Sequence, residues 1–177
     1  MEAIRLVNAS LNIVFEEGSF EDASFLKEYY TLSLLNDDPL GMWLKSSKVR
    51  KDVEQSDQVI LTLLIDLHRK VDALTHMVHH KDVPLHLPLA HHGSLNAIGH
   101  GYIQHASSVL VEGQSYYARI DMPTFPRRFM PIFFEALSPS LGKITQMHED
   151  DEKDWSAYMV ACERAMIRQM KGSNGEY

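Results

Sequence analysis

Between Ser47 and His80 the sequence runs without a single glycine or proline. Such a stretch favours one uninterrupted helix, which at 1.5 Å per residue would reach about 45–50 Å, more than one small domain needs. Its apolar residues follow a heptad: Val53, Ile60, Leu64, Leu67, Val71, Leu74 and Val78, in alternating steps of four and three after Ile60. Asp57 takes the one polar position of that seam. This spacing keeps an apolar line turned toward a partner helix. Val59, Leu61, Leu63 and Ile65 widen the seam on its flanks. Two ways of covering that extra surface are open: a bundle of more than two helices, or packing against a helix of the same chain.

The segments around this helix read differently. Residues 1–20 are ambiguous, because the short apolar run Leu11 to Phe15 fits a strand or part of a helix. From Glu21, the positions Phe25, Leu26, Tyr29, Leu32 and Leu35 repeat at helical spacing until Asn36-Asp37-Asp38-Pro39 breaks the pattern. Pro39 to Lys45 reads as a short second helix or turn. After Lys81, Pro84 and Pro88 end helical structure. Short candidate strands then alternate with Gly/Pro turns: Val83–Leu89, Ala97–His105, Ser115–Asp121, Phe129–Leu137 and Lys143–His148. A last helix is expected from Asp151 to Met170, with an acidic first turn suited to the helix dipole. Its face of Trp155, Tyr158, Met159, Cys162, Met166 and Met170 would cover an open side or mouth of the barrel. The expected fold class is therefore α+β: N-terminal helices including one long heptad helix, then a small barrel with a C-terminal helix. The expected divisions are an N-terminal helical segment 1–46, an oligomerisation helix 47–80 and a barrel unit 81–177.

Charge and motifs narrow the function. The formal net charge of −7 repels a phosphate backbone, which argues against nucleic acid as a partner. One cysteine, Cys162, permits no intrachain disulfide framework and suits a reducing cytoplasm. The N-terminus lacks a signal-peptide pattern, and no apolar stretch is long enough to span a bilayer. Among ten histidines, His76 and His80 are one helical turn apart and could share a metal, but the register turns His76, His79 and His80 away from the seam, where water is the expected neighbour. No carboxylate completes a HExxH helix, Ser94 lies in no GxSxG elbow, and Gly99-His100-Gly101 is no Walker loop. Cys162 on an apolar helix face reads as buried and inert. No catalytic residue, metal site or cofactor is expected.

The segment from about Lys81 to Lys171 carries a further pattern. It holds Gly93-Ser94-Leu95-Asn96-Ala97-Ile98-Gly99-His100-Gly101-Tyr102-Ile103, then Val111-Glu112-Gly113-Gln114-Ser115-Tyr116-Tyr117, then Ala118-Arg119-Ile120-Asp121-Met122-Pro123. This order of turn, glycine, strand and short glycine loop resembles a PilZ domain. The resemblance implies a six-stranded or similar small barrel with a C-terminal helix, in a family that usually serves as a bacterial receptor for cyclic di-GMP. That family grips its ligand with an RxxxR pair before the first strand and a [D/N]xSxxG turn. Here His76 to Asp82 contains no arginine, and the turn aligns as Ser94-Leu95-Asn96-Ala97-Ile98-Gly99. Gly99 matches, whereas Ser94 and Asn96 replace the family's residues; these three are the nucleotide-binding candidates. With the heptad helix ahead of it, the chain resembles the atypical tetrameric PilZ type.

The expectation is thus a non-catalytic, cytoplasmic signalling or motility protein that binds other proteins. It should form a homo-oligomer, a tetramer by preference, through Ile60, Leu64, Leu67, Val71, Leu74 and Val78. Cyclic di-GMP should bind weakly or not at all. The alternative is a cyclic di-GMP receptor that uses non-standard residues such as Arg119, Arg127 or Arg128.

Overall fold

A computed structural model describes residues 4–34, 55–79, 86–123 and 128–173. The described strands are β1 (Leu6–Glu17), β2 (His91–Gly99), β3 (Tyr102–His105), β4 (Ser115–Met122), β5 (Arg128–Ala136) and β6 (Leu141–Gln146). The described helices are α1 (Ala23–Leu34), α2 (Gln55–His79) and α3 (Glu149–Ser173). The six strands close into an antiparallel barrel in the order β1-β2-β3-β6-β5-β4. β1 is the closing strand: Phe15 faces His91 on β2 and Ala118 on β4.

Alternation builds the interior. Val7, Leu11, Ile13 and Phe15 of β1 point inward, with Ala9 packed against the same cluster. Tyr116, Ala118, Ile120 and Met122 of β4 do likewise, as do Met130, Ile132, Phe134 and Ala136 of β5. A strand's period of two sends the intervening residues outward. On β4 and β5 even these are covered. Tyr117 and Phe133 form a second buried cluster with Tyr29 and Leu89, and with Phe25, Leu87 and Val14 half-buried beside them. Helix α1 thus lies over the outer wall of β4 and β5. Its start is set by local bonds: Ser19 Oγ accepts the Glu21 N–H, and the Asp22 carbonyl accepts the Leu26 N–H.

Two glycines serve the barrel's geometry. Gly101 turns between β2 and β3 at φ 72°, which a side chain would strain. Gly142 sits under Phe134, where a Cβ would come within 2.6 Å of the ring. Helix α3 closes the interior from one side. Trp155 and Met159 are buried in the barrel's core, with Tyr158 and Cys162 half-buried against it, and Trp155 Nε1 donates to the Gly99 carbonyl at 3.0 Å.

Several sequence expectations need correction. The ambiguous N-terminal stretch is a strand of 12 residues, so the barrel is not confined to 81–177 and segment 1–46 is not purely helical. The expected strand Val83–Leu89 is not formed over its described part, 86–89; its apolar residues pack outside the wall, and the strand begins at His91. Ala97–His105 is two strands, because the chain reverses at His100-Gly101. The fully buried part of the α3 face ends at Met159, Cys162 and Met166 are half-buried, and Met170, expected on the same face, is exposed. The short helix or turn at 39–45, the start of the long helix and His80 lie outside the described residues.

Candidate functional site

Helix α2 has 25 residues, about 37 Å of helix. Thr62 and Ile65 on one side are buried within the chain, and Leu61, Asp66 and Arg69 beside them are half-buried. The opposite side is open. Ile60, Leu64, Leu67, Val71, Leu74 and Val78, together with Val59, Leu63 and Met77, are all between 49 and 64 % exposed. At 100° per residue these nine residues cover roughly 140° of the helix circumference. All six sequence-derived seam residues therefore share one solvent-facing apolar surface, while Ile65, read as a flank residue, is covered from behind. Polar side chains near the surface are paired within the helix: Lys70 with Asp66 at 2.8 Å and His68 Nε2 with Asp72 at 3.2 Å.

The nucleotide candidates separate. Ser94 and Asn96 project from β2 into an open groove of ≈ 490 Å³ lined also by Asn8, Ala9, Ser10, Leu95 and Ala106. No lysine, arginine or histidine lines this groove. Irregular pairing shapes it: β1 shifts register between Asn8 and Leu11, and β2 between Leu95 and Ala97. Gly99 is buried instead. A Cβ there would lie 2.5 Å from the Arg5 carbonyl oxygen, so close backbone approach accounts for this glycine.

The candidate arginines are engaged elsewhere. Arg119, on the outer wall of β4, donates from Nη1 to both oxygens of Glu28, at 2.9 and 2.8 Å. Its Nη2 donates to the Leu87 carbonyl at 2.9 Å. Glu28 also accepts the Leu87 N–H at 2.8 Å and the Tyr117 hydroxyl at 2.8 Å. Burial, reinforced by this carboxylate, pushes the Tyr117 pKa well up, so the phenol stays a donor. His86 lies alongside, its Nδ1 3.9 Å from Glu28, and burial together with the Arg119 charge lowers its pKa. Arg128, at the start of β5, bonds Asp151 at 2.5 Å and Asp154 at 2.7 Å. Burial opposes its charge, yet the two carboxylates hold its pKa above the ordinary value. Arg127 lies outside the described residues.

Sequence reasoning missed the Glu28 cluster. Its partners stand 59 to 91 residues from Glu28, and no local pattern links them. The histidines scatter: His91, His92 and His100 are exposed and His105 is buried in the barrel, while the side chains of His76 and His79 lie outside the description. Among the described residues, no three His, Cys, Asp or Glu side chains are placed to hold a metal, and no helix is long and apolar enough to cross a membrane.

What the geometry defines is a small closed antiparallel barrel, helix-covered on one wall, joined to a helix that leaves an apolar face open. No family model, curated protein or solved structure matches the chain.

Proposed function

We propose that this chain is a non-catalytic regulatory module of bacterial signalling, an atypical PilZ-like barrel whose copies assemble through α2 and present the barrels to protein partners. The observation that carries this reading is the open face of α2. Six apolar residues in heptad register, with Val59, Leu63 and Met77 beside them, stand in water along one side, while the other side is already covered. Contiguous apolar surface of this kind marks an interaction site, and heptad spacing makes it complementary to another copy of itself. Four helices suit the face better than two. Val59, Leu63 and Met77 extend it beyond the seam that a two-stranded coil buries.

The state of the arginines supports a protein-binding role over cyclic di-GMP reception. Arg119 and Arg128 are already committed to buried carboxylates, and the Ser94–Asn96 groove offers no cation to two phosphates.

The mass in solution tests the reading. Wild type at micromolar concentration should scatter light as an oligomer, and Leu64→Asp with Leu67→Asp should give a monomer with its barrel intact. A monomeric wild type ends the assembly proposal. Titration calorimetry with cyclic di-GMP should show no binding at micromolar concentrations; binding lost on changing Ser94 and Asn96 would replace this reading with that of a nucleotide receptor.

A further inference from the structure

The two ends of the barrel are finished differently. At one end β1 begins and β2 stops: Leu6 pairs with Gly99, Trp155 of α3 donates to the Gly99 carbonyl, and Glu163 takes Arg5 at 2.9 Å. At the other end β1 stops and β4 begins, and the loop between β3 and β4 closes the opening. Leu110 of that loop is buried in the core. Its neighbours Val109 and Val111 face water, 50 and 60 % exposed, although hydrogen bonds fix the loop. The Pro139 carbonyl accepts the N–H groups of Val109 and Leu110, the Tyr116 hydroxyl accepts that of Val111, and the Ala136 carbonyl that of Gly113. Leu137, next to Ala136, adds a third exposed apolar side chain. A patch held open in this way suits a contact.

Charge distinguishes the ends as well. Glu17 at the end of β1, Glu112 in the loop and Glu135 on β5 are exposed at the loop end, and none is in an ion pair among the described residues. Lys143 lies across the ladder from Glu135, so three carboxylates stand against one lysine there. On α3 the sign reverses. Arg164 and Arg168 are exposed and in no ion pair among the described residues, and no Asp or Glu follows Glu163 in the helix. At 100° per residue, Val160, Arg164, Ile167 and Arg168 fall within an arc of about 100° on the side opposite the buried Trp155. Val160 and Ile167 are exposed along that arc.

We propose that these two surfaces bind each other between copies of the chain, the outer face of α3 on one barrel docking against the loop end of the next. Apolar side chains meet apolar ones, and two free arginines meet free carboxylates. A net charge of −7 on each copy opposes approach at long range, so the opposed local charges set the orientation. Five apolar side chains and a few charges fall short of the roughly 1,200 Å² of a stable complex, and the contact is weak on its own. Because the surfaces differ, the contact runs head to tail, and a copy that uses both can extend to a third. Copies gathered through α2 multiply such contacts and link one assembly to the next. That consequence rests on the assembly reading; the contact does not.

Paramagnetic broadening between copies tests the contact in the full chain with Leu64→Asp, Leu67→Asp and Cys162→Ala, which removes α2 association and the native thiol. One copy carries a spin label at Gln169→Cys, and the other carries isotope-labelled methyl groups. At roughly 0.5 mM of each copy, where a millimolar contact is about a quarter occupied, the Val109, Val111 and Leu137 methyl signals should fall about twofold or more. Those of Ile120 and Ile132 in the core should hold, which also shows that the barrel is folded. Arg164→Glu with Arg168→Glu in the spin-labelled copy should abolish the loss, as should Glu17→Arg with Glu112→Arg in the other copy. Mixing the two reversed copies should restore it. No loss at the loop end would overturn the proposal. So would a loss that survives either reversal, or one confined to the α3 end of the second copy, which would mean a symmetrical contact. Light scattering of wild type decides the assembly reading separately, since the mixture does not depend on α2.

Discussion

Acid should weaken this barrel through His105, and the size of the effect can be worked out. The His105 ring lies inside the barrel, against Phe15 at 5.0 Å and Phe134 at 6.1 Å. Its Nε2 has no hydrogen-bond partner among the described residues. Burial alone takes its pKa from 6.5 down to about 4. A depressed histidine is neutral in the folded chain at pH values where the unfolded chain binds a proton. The unfolded state therefore takes up more protons below pH 6.5, and stability falls with pH between 6.5 and 4. Above that window nothing is lost; below it the loss is complete. Between about pH 7.5 and about pH 5 the loss is about 2 kcal/mol, and it approaches about 3.4 kcal/mol below pH 4. Urea unfolding at several pH values, followed by tryptophan fluorescence at one protein concentration, measures this in wild type and in His105→Leu. The concentration is fixed because self-association would add to apparent stability. His86, also depressed, remains in both chains and cancels in the comparison. The variant should lose about 2 kcal/mol less than wild type over that range. Identical pH dependence in the two proteins would refute the argument, because His105 would then be reached by water or protonated in place.

Other substitutions test other joints of the fold. Trp155→Ala empties a buried ring site and removes the bond to Gly99, so it should cost about 3–5 kcal/mol, against almost nothing for the exposed Lys153→Ala, by thermal melting of both. Arg128→Met leaves the Asp151 carboxylate, 1 % exposed, without its guanidinium; urea titration should show a loss of about 3 kcal/mol or more. Gly99→Ala pushes a methyl into the Arg5 main chain and should destabilise by about 1–3 kcal/mol in the same assay, while Ser94→Ala and Asn96→Ala on the groove rim should stay within about 0.5 kcal/mol.

The residues differ in how openly they declared these roles. The grouping of the α2 residues on one face was legible because helical spacing needs no knowledge of the rest of the chain, and the six residues so grouped are all exposed. The β1 strand was legible in principle. Val7, Ala9, Leu11, Ile13 and Phe15 alternate with Asn8, Ser10 and Asn12, but attention to the short apolar run from Leu11 hid the longer alternation. β4 and β5 show no alternation because α1 buries their outer faces as well, so Tyr117 and Phe133 read like interior residues. Leu87 and Leu89 suggested a strand for the same reason: burial on the outside of a wall looks like burial within it. The Glu28–Arg119 pair and the isolation of His105 had no local signature at all. Both arise from contacts between segments far apart in the chain, which only the closed barrel brings together.

The place of β1 in the barrel has a consequence for biosynthesis. This strand emerges from the ribosome ahead of the other five, yet its partners are β2 and β4, and the second of these ends only at Met122. Until then its inward row of Val7, Leu11, Ile13 and Phe15 has nothing to close against, a delay that long-range strand pairing imposes and that chaperones commonly cover. Helix α2 is made during that interval and needs only local bonds to form. Neighbouring nascent chains on one message therefore expose this apolar helix face before any of them owns a finished barrel. Subunits joined at that stage would be siblings from one transcript, with barrel closure following as a later, separate event in each.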